Sequence, residues 1–145
     1  MKKNKKKIYI FALASQGEGI SGGDRIFIEF AKRWSKQSAV TVYLETEGYE
    51  MFKRQGLVSS IKYRVFSVNK DLGFLIKYIW KIILGIKLGF SLRLTNASDT
   101  IIYSASEFWM DSLPCFILKL RFNKIRWAAA WYQTAPNPLK GFAEG

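Results

Sequence analysis

Histidine is absent from this sequence, and cysteine occurs once, at Cys115. The first absence removes the commonest general base, the commonest zinc ligand and every Ser-His or Cys-His catalytic pair. The second excludes an internal disulfide and a cysteine metal cluster. Acids are scarce too, 11 against 23 lysines and arginines. Metal chemistry would have to use carboxylates alone, and no close group of them stands along the chain, so no metal site is expected. Cys115 lies in an apolar run and reads as a core residue.

What remains is a basic, apolar chain of 145 residues, 49% hydrophobic and 16% aromatic. That is enough for one folded domain with its own core. The net charge of +12 asks for a partner, and five of the first seven residues are lysine. Residues 1–7 read as a basic tail. An anionic membrane surface ranks first as partner; nucleic acid ranks behind it and is not expected. A solvated basic surface is the plain alternative.

The informative stretch runs from Gln16 to Trp34. It follows the apolar run Ile8–Ala14, which reads as a buried strand. After it, Ile26, Phe27, Phe30, Ala31 and Trp34 recur at helical steps. Strand, glycine-rich loop and helix in that order make an anion site, because the first N–H groups of a helix have no partner within it. Gly17, Gly19 and Gly22 spell G-x-G-x-x-G, and Glu45 ends the next strand, where a dinucleotide fold would hold a ribose. On that reading the chain is a nucleotide or dinucleotide module. Against it, Ser15 and Gln16 separate the strand from the first glycine.

Gly22-Gly23-Asp24-Arg25 followed by Ile26–Ala31 resembles the first helix of the N-terminal domain of GT-B glycosyltransferases, notably family 4. The match is one residue shorter before the arginine, and has Asp24 where Glu is usual. The resemblance implies that Gly22 and Gly23 meet the phosphates of a nucleotide-sugar donor, with no further cofactor. Arg25 and Glu29 have the spacing of an i, i+4 pair.

Further strands are expected at Ala39–Glu45, Ile61–Val68, Thr100–Tyr103 and Ile125–Tyr132, with a short helical turn at Gly48–Gln55 and a helix over Phe108–Phe122. The fold class is therefore α/β: a Rossmann-like, doubly wound parallel sheet of about five strands, ordered 3-2-1-4-5, with helices on both faces. The third strand should lie near an edge, since Lys62 and Arg64 share a face. Three alanines in the fifth strand suggest close packing beneath a helix. Pro114 suggests that the regular part of the last helix starts near Ser112.

Asp71–Leu94 is the second informative stretch. It approaches the length of a membrane span, but Lys77, Lys81 and Lys87 would each cost roughly 2.5–3.5 kcal/mol in hydrocarbon. They fall with Ser91 on one third of the helical wheel, and the rest is apolar. The expectation is a crossover helix with part of its surface on a membrane, and Lys77, Trp80, Lys81 and Lys87 at the lipid boundary.

The resemblance implies that acceptor contacts come from Ser106, Glu107, Tyr132, Gln133 and Thr134, at the carboxyl ends of the fourth and fifth strands. The family often places a histidine there; Glu107 is the weak catalytic candidate that remains. It also reads as a first-turn helix acid favoured by the dipole. The resemblance implies a sugar (hexosyl) transferase acting on a glycan or lipid-linked acceptor, in the cytoplasm or peripheral on the inner face of the cell membrane. Residues 8–145 would be its N-terminal domain, truncated, with the donor domain absent and no transfer expected from these residues alone. A basic membrane-surface adaptor without transferase activity is a third reading.

Overall fold

The structure, a computed structural model, describes residues 5–17, 19–69 and 71–132. Strands β1 (Lys7–Ala12), β2 (Ala39–Glu45), β3 (Ile61–Phe66), β4 (Thr100–Ser104) and β5 (Arg126–Ala129) alternate with helices α1 (Gly22–Ser35), α2 (Thr46–Arg54), α3 (Phe74–Ser91) and α4 (Trp109–Arg121). All strand pairs are parallel, in the order β3-β2-β1-β4-β5. The fold is the expected Rossmann-like α/β sheet.

Period-two alternation along the central strands splits the core into two. Ile8, Ile10 and Ala12 of β1 join Val40, Val42 and Leu44 of β2 and meet Phe27, Ile28 and Ala31 of α1 and Phe52 of α2. Phe11 and Leu13 point the other way, with Tyr43 and Ile102, and meet Met110, Cys115 and Leu118 of α4 and Leu88 of α3. Phe11 and Tyr43 stack with ring centroids 4.9 Å apart, a contact that adds to the area they bury. Cys115 is buried, as its apolar setting suggests.

Several boundaries move for physical reasons. Strand β1 stops at Ala12 because the N–H groups of Leu13 and Ala14 both donate to Asp111 Oδ1, at 2.6 and 3.2 Å. Helix α2 begins at Thr46, before Gly48, because Glu45 caps it by accepting from the Glu47 N–H at 3.0 Å. Helix α4 is regular from Trp109 and carries Pro114 inside it. Strand β3 is an edge, as its charges suggest. So is β5, and all four of its residues are exposed. Ala128 and Ala129 therefore do not pack beneath a helix. On α1, Glu29 pairs with Arg33 at 3.8 Å, rather than with Arg25. Both side chains are exposed, so the pair contributes little.

Helix α3 departs most from its helical-wheel reading. It turns the line Lys81, Gly85, Leu88 and Gly89 inward, against α4, and leaves Leu75, Ile76, Ile79, Trp80, Ile83 and Phe90 exposed. The cause is size rather than hydropathy. A Cβ on Gly85 would lie 2.6 Å from the Met110 carbonyl oxygen, and one on Gly89 would lie 2.9 Å from the Ile117 Cβ. The Met110 carbonyl has no helical donor because Pro114, four residues on, lacks an N–H. The glycines allow the helices to meet here, and Lys81, one turn before Gly85, is carried in with them. Lys81 is 4% exposed. It is not at a lipid boundary, and its Nζ lies 3.9 Å from Glu45 Oε2.

Candidate functional site

The carboxyl ends of β1 and β4 open onto a cavity of about 420 Å³, lined by Ser15, Gln16, Ser21–Asp24, Ser106, Glu107, Asp111 and Tyr132 among others. In an open α/β sheet this is where ligands enter. Two anchors shape it. The first is a capping box at α1: Ser21 Oγ accepts from the Asp24 N–H at 3.1 Å, and Asp24 Oδ2 accepts from the Ser21 N–H at 2.9 Å. Asp24 Oδ1 also takes the Ser15 hydroxyl at 2.8 Å, tying the end of β1 to the helix. Asp24 is thus a structural acid. The box leaves the Gly22 and Gly23 N–H groups, at the positive end of the helix dipole, with no acceptor among the described residues.

The second anchor is Asp111. It is fully buried, takes Leu13 and Ala14 with one oxygen, and accepts from the Ser106 hydroxyl with the other at 2.6 Å. One carboxylate therefore holds the loops after β1 and after β4 together. Burial raises its pKa to about 7, against the opposing pull of those hydrogen bonds and the Lys81 charge.

Glu107 stands beside this clasp. It lines the cavity, and its Oε2 is shut from solvent with no hydrogen-bond partner among the described residues. A buried carboxylate oxygen without a donor is costly, so this atom is a place for a ligand O–H or N–H. Tyr132 closes another side. Its ring lies over Gly23, where an added Cβ would meet it at 2.9 Å, and its hydroxyl donates to the Gly23 carbonyl oxygen at 3.5 Å. Gly23 is thus needed for the ring's approach. Burial raises the pKa of Tyr103 and Tyr132, so they stay neutral and polar.

The structure brings together Gly22, Gly23, Ser106, Glu107 and Tyr132. Gln133 and Thr134 lie outside the described residues. Ser106 is already committed to Asp111. Glu45 is buried, caps α2 and faces Lys81, and it is not in the lining of this cavity, where a ribose beside Gly22 would need it. Asp111 is the site residue that sequence reasoning misses, because an acid in the first turn of a helix is already accounted for by the dipole. The available signal was its place one residue past Met110 in an otherwise apolar helix start. No group of three or more potential metal ligands occurs among the described residues, and none of their helices is long and apolar enough to cross a membrane. Comparison of the chain with protein-family models, curated proteins and solved structures gives no match.

Proposed function

We propose that this chain is the acceptor-side domain of a GT-B-type glycosyltransferase, which moves a sugar from a nucleotide-sugar to a hydroxyl of a glycan or lipid-linked acceptor. The observation that carries the reading is the pairing within one cavity of free helix N–H donors at Gly22 and Gly23 with an unpartnered carboxylate oxygen on Glu107. The donors suit a diphosphate. The carboxylate suits a hydroxyl that must be held, or lose its proton, as it attacks. Tyr132 would border the acceptor, and Ser106 would keep Glu107 in place through Asp111. Stabilisation of the leaving diphosphate in this class is electrostatic and would come largely from a second domain, so residues 1–145 bind rather than turn over. Glu45 does not line that cavity, which counts against the dinucleotide reading.

The test is thermal protection. UDP-glucose or GDP-mannose at ten times its dissociation constant should add about 1.4 kcal/mol, which is roughly 3–6 °C. Gly22→Asp, whose side chain would enter open space, should remove the protection and leave the fold intact. Protection by NAD and not by either nucleotide-sugar would sink the proposal.

The outward stripe of α3 supports peripheral attachment to an anionic membrane. Ile76, Ile79, Trp80, Ile83 and Lys87 share it, with Trp80 53% exposed. An apolar stripe flanked by lysine, on a chain of net charge +12, fits the interface of a bilayer. Replacing Trp80 and Ile83 with glutamate should abolish flotation with phosphatidylglycerol vesicles. Flotation that survives, but disappears when residues 1–7 are removed, would assign the contact to the lysine tail.

A further inference from the structure

A second cavity, of about 330 Å³, adjoins the first and shares Gln16 with it. Its walls are Gln16 and Gly17 of the loop after β1, Glu45 and Glu47 at the β2–α2 junction, Val68, and Phe74, Lys77 and Lys81 of α3. Its volume is at the small end of ligand sites. Lys81 makes it unusual. The ammonium is almost wholly buried, yet its one partner among the described residues is Glu45 Oε2 at 3.9 Å, beyond hydrogen-bond reach. Its three N–H donors meet no hydrogen-bond acceptor among the described residues, and Lys81 lines the cavity. Burying that charge is costly, and an apolar residue of the same size would pack against α4 more cheaply. Burial accordingly lowers the Lys81 pKa.

The acids are placed with similar care. Glu47 Oε2 accepts from the Gly17 N–H at 2.8 Å, which draws the glycine loop over the cavity. Glu45 Oε2 takes the Glu47 N–H. Each carboxylate keeps acceptor capacity to spare. Two lysines and two glutamates balance in charge, so the cavity does not favour an anion as the first one does. It offers alternating donors and acceptors, and Phe74, 70% exposed, gives an apolar face at its rim.

We infer that this second cavity binds a neutral polyhydroxylated ligand, one pyranose unit of a saccharide, between the ammonium of Lys81 and the carboxylates of Glu45 and Glu47. Vicinal hydroxyls both donate and accept, so they satisfy the lysine and the glutamates together. The C–H face of the ring lies against Phe74. This inference stands on the second cavity alone and does not need the transferase reading.

The experiment is a titration of the ¹⁵N-labelled chain with D-glucose, D-mannose, D-galactose and N-acetyl-D-glucosamine in turn, with inorganic phosphate as rival probe. At least one sugar should shift the amides of Gly17, Glu47 and Lys77. Lys81→Met should weaken that sugar at least tenfold. Because Lys81→Met leaves Glu45 buried alone, the double variant Glu45→Gln, Lys81→Met keeps the assay meaningful if the single one does not fold; it too should lose the sugar. Phe74→Ala, on the exposed rim, should weaken it at least threefold in a folded chain. Phosphate acting at lower concentration than every sugar would overturn the inference, as would sugars that shift nothing, or only the Gly22 and Glu107 amides. A UDP-glucose response at Gly22 and Gly23 with no sugar response at Gly17 would leave the transferase proposal standing and this one fallen.

Discussion

Asp111→Ala is expected to destabilise the chain by roughly 3–4 kcal/mol, because two backbone N–H groups, of Leu13 and Ala14, lose their acceptor in or beside the core. Against the roughly 5–15 kcal/mol that holds a typical domain folded, that is a large share. It should appear as a lower urea midpoint with an unchanged slope. Asp111→Asn is the informative companion, since its amide oxygen can still accept from both N–H groups. The carboxyl of Asp111 is raised in the folded state, first by burial, from 3.8 to about 7. The folded chain therefore holds a proton that the unfolded chain has released. The stability that this group supplies is present below the unfolded pKa and is lost as pH rises through the folded one. The stability of the native chain relative to Asp111→Asn should fall between about pH 4 and about pH 7, then level off. A difference constant across that window would mean that Asp111 stays ionised throughout, held by Ser106, Leu13, Ala14 and Lys81.

Gly85→Val should be nearly as damaging, at about 3 kcal/mol or more. Overpacking is mild when a flexible side chain can swing aside. Here the first atom met is the backbone oxygen of Met110, and the next is Pro114 Cδ at 3.2 Å. Neither can rotate away. The strain should fall on the contact of α3 with α4, so amide exchange should quicken in both helices while β2 and β3 keep their protection. Gly22→Ala is the control. Its Cβ meets nothing within 4 Å, and stability should change by less than about 0.5 kcal/mol. Equal effects from the two would show that α3 does not rest on Gly85.

The order of elements is legible in the sequence because each strand carries its own apolar run and the helices between carry helical period. Val40, Val42 and Leu44 announce β2, and Ile26, Phe27, Phe30 and Ala31 announce α1. The order β3-β2-β1-β4-β5 follows from the chirality and shortness of parallel crossovers. What hydropathy does not reveal is which side of an apolar helix is inside. On α3 the smallest residues decide it: Gly85 and Gly89 set the contact line, and Lys81 goes in while Trp80 and Ile83 stay out. Asp111 is illegible for a related reason. An acid in the first turn of a helix satisfies the dipole argument fully, and only the tertiary approach of Leu13 and Ala14 gives it a second role. Gly22 and Gly23 are legible as a helix start, because cap chemistry is local. Glu107 is singled out in the sequence only through the family resemblance; its unpartnered oxygen belongs to the assembled cavity.

The division of the core between the two faces has a consequence in time. Helices α1 and α2 cover one face and belong, with β1, β2 and β3, to a continuous segment, residues 7–66, whereas the helices of the other face, α3 and α4, come with β4 and β5 from residues 74–129. Ile8 pairs with Val40 on one side and with Ile101 on the other. During synthesis the first three strands can therefore pair and bury α1 and α2 before β4 exists. Over that interval β1 presents an open, apolar edge, and Phe11 and Leu13 lack α4. Closing that edge requires a long-range pairing, which is slow. The nascent chain thus passes through a half-sheet whose exposed strand is its most aggregation-prone surface, and the arrival of Thr100–Ser104 ends that exposure.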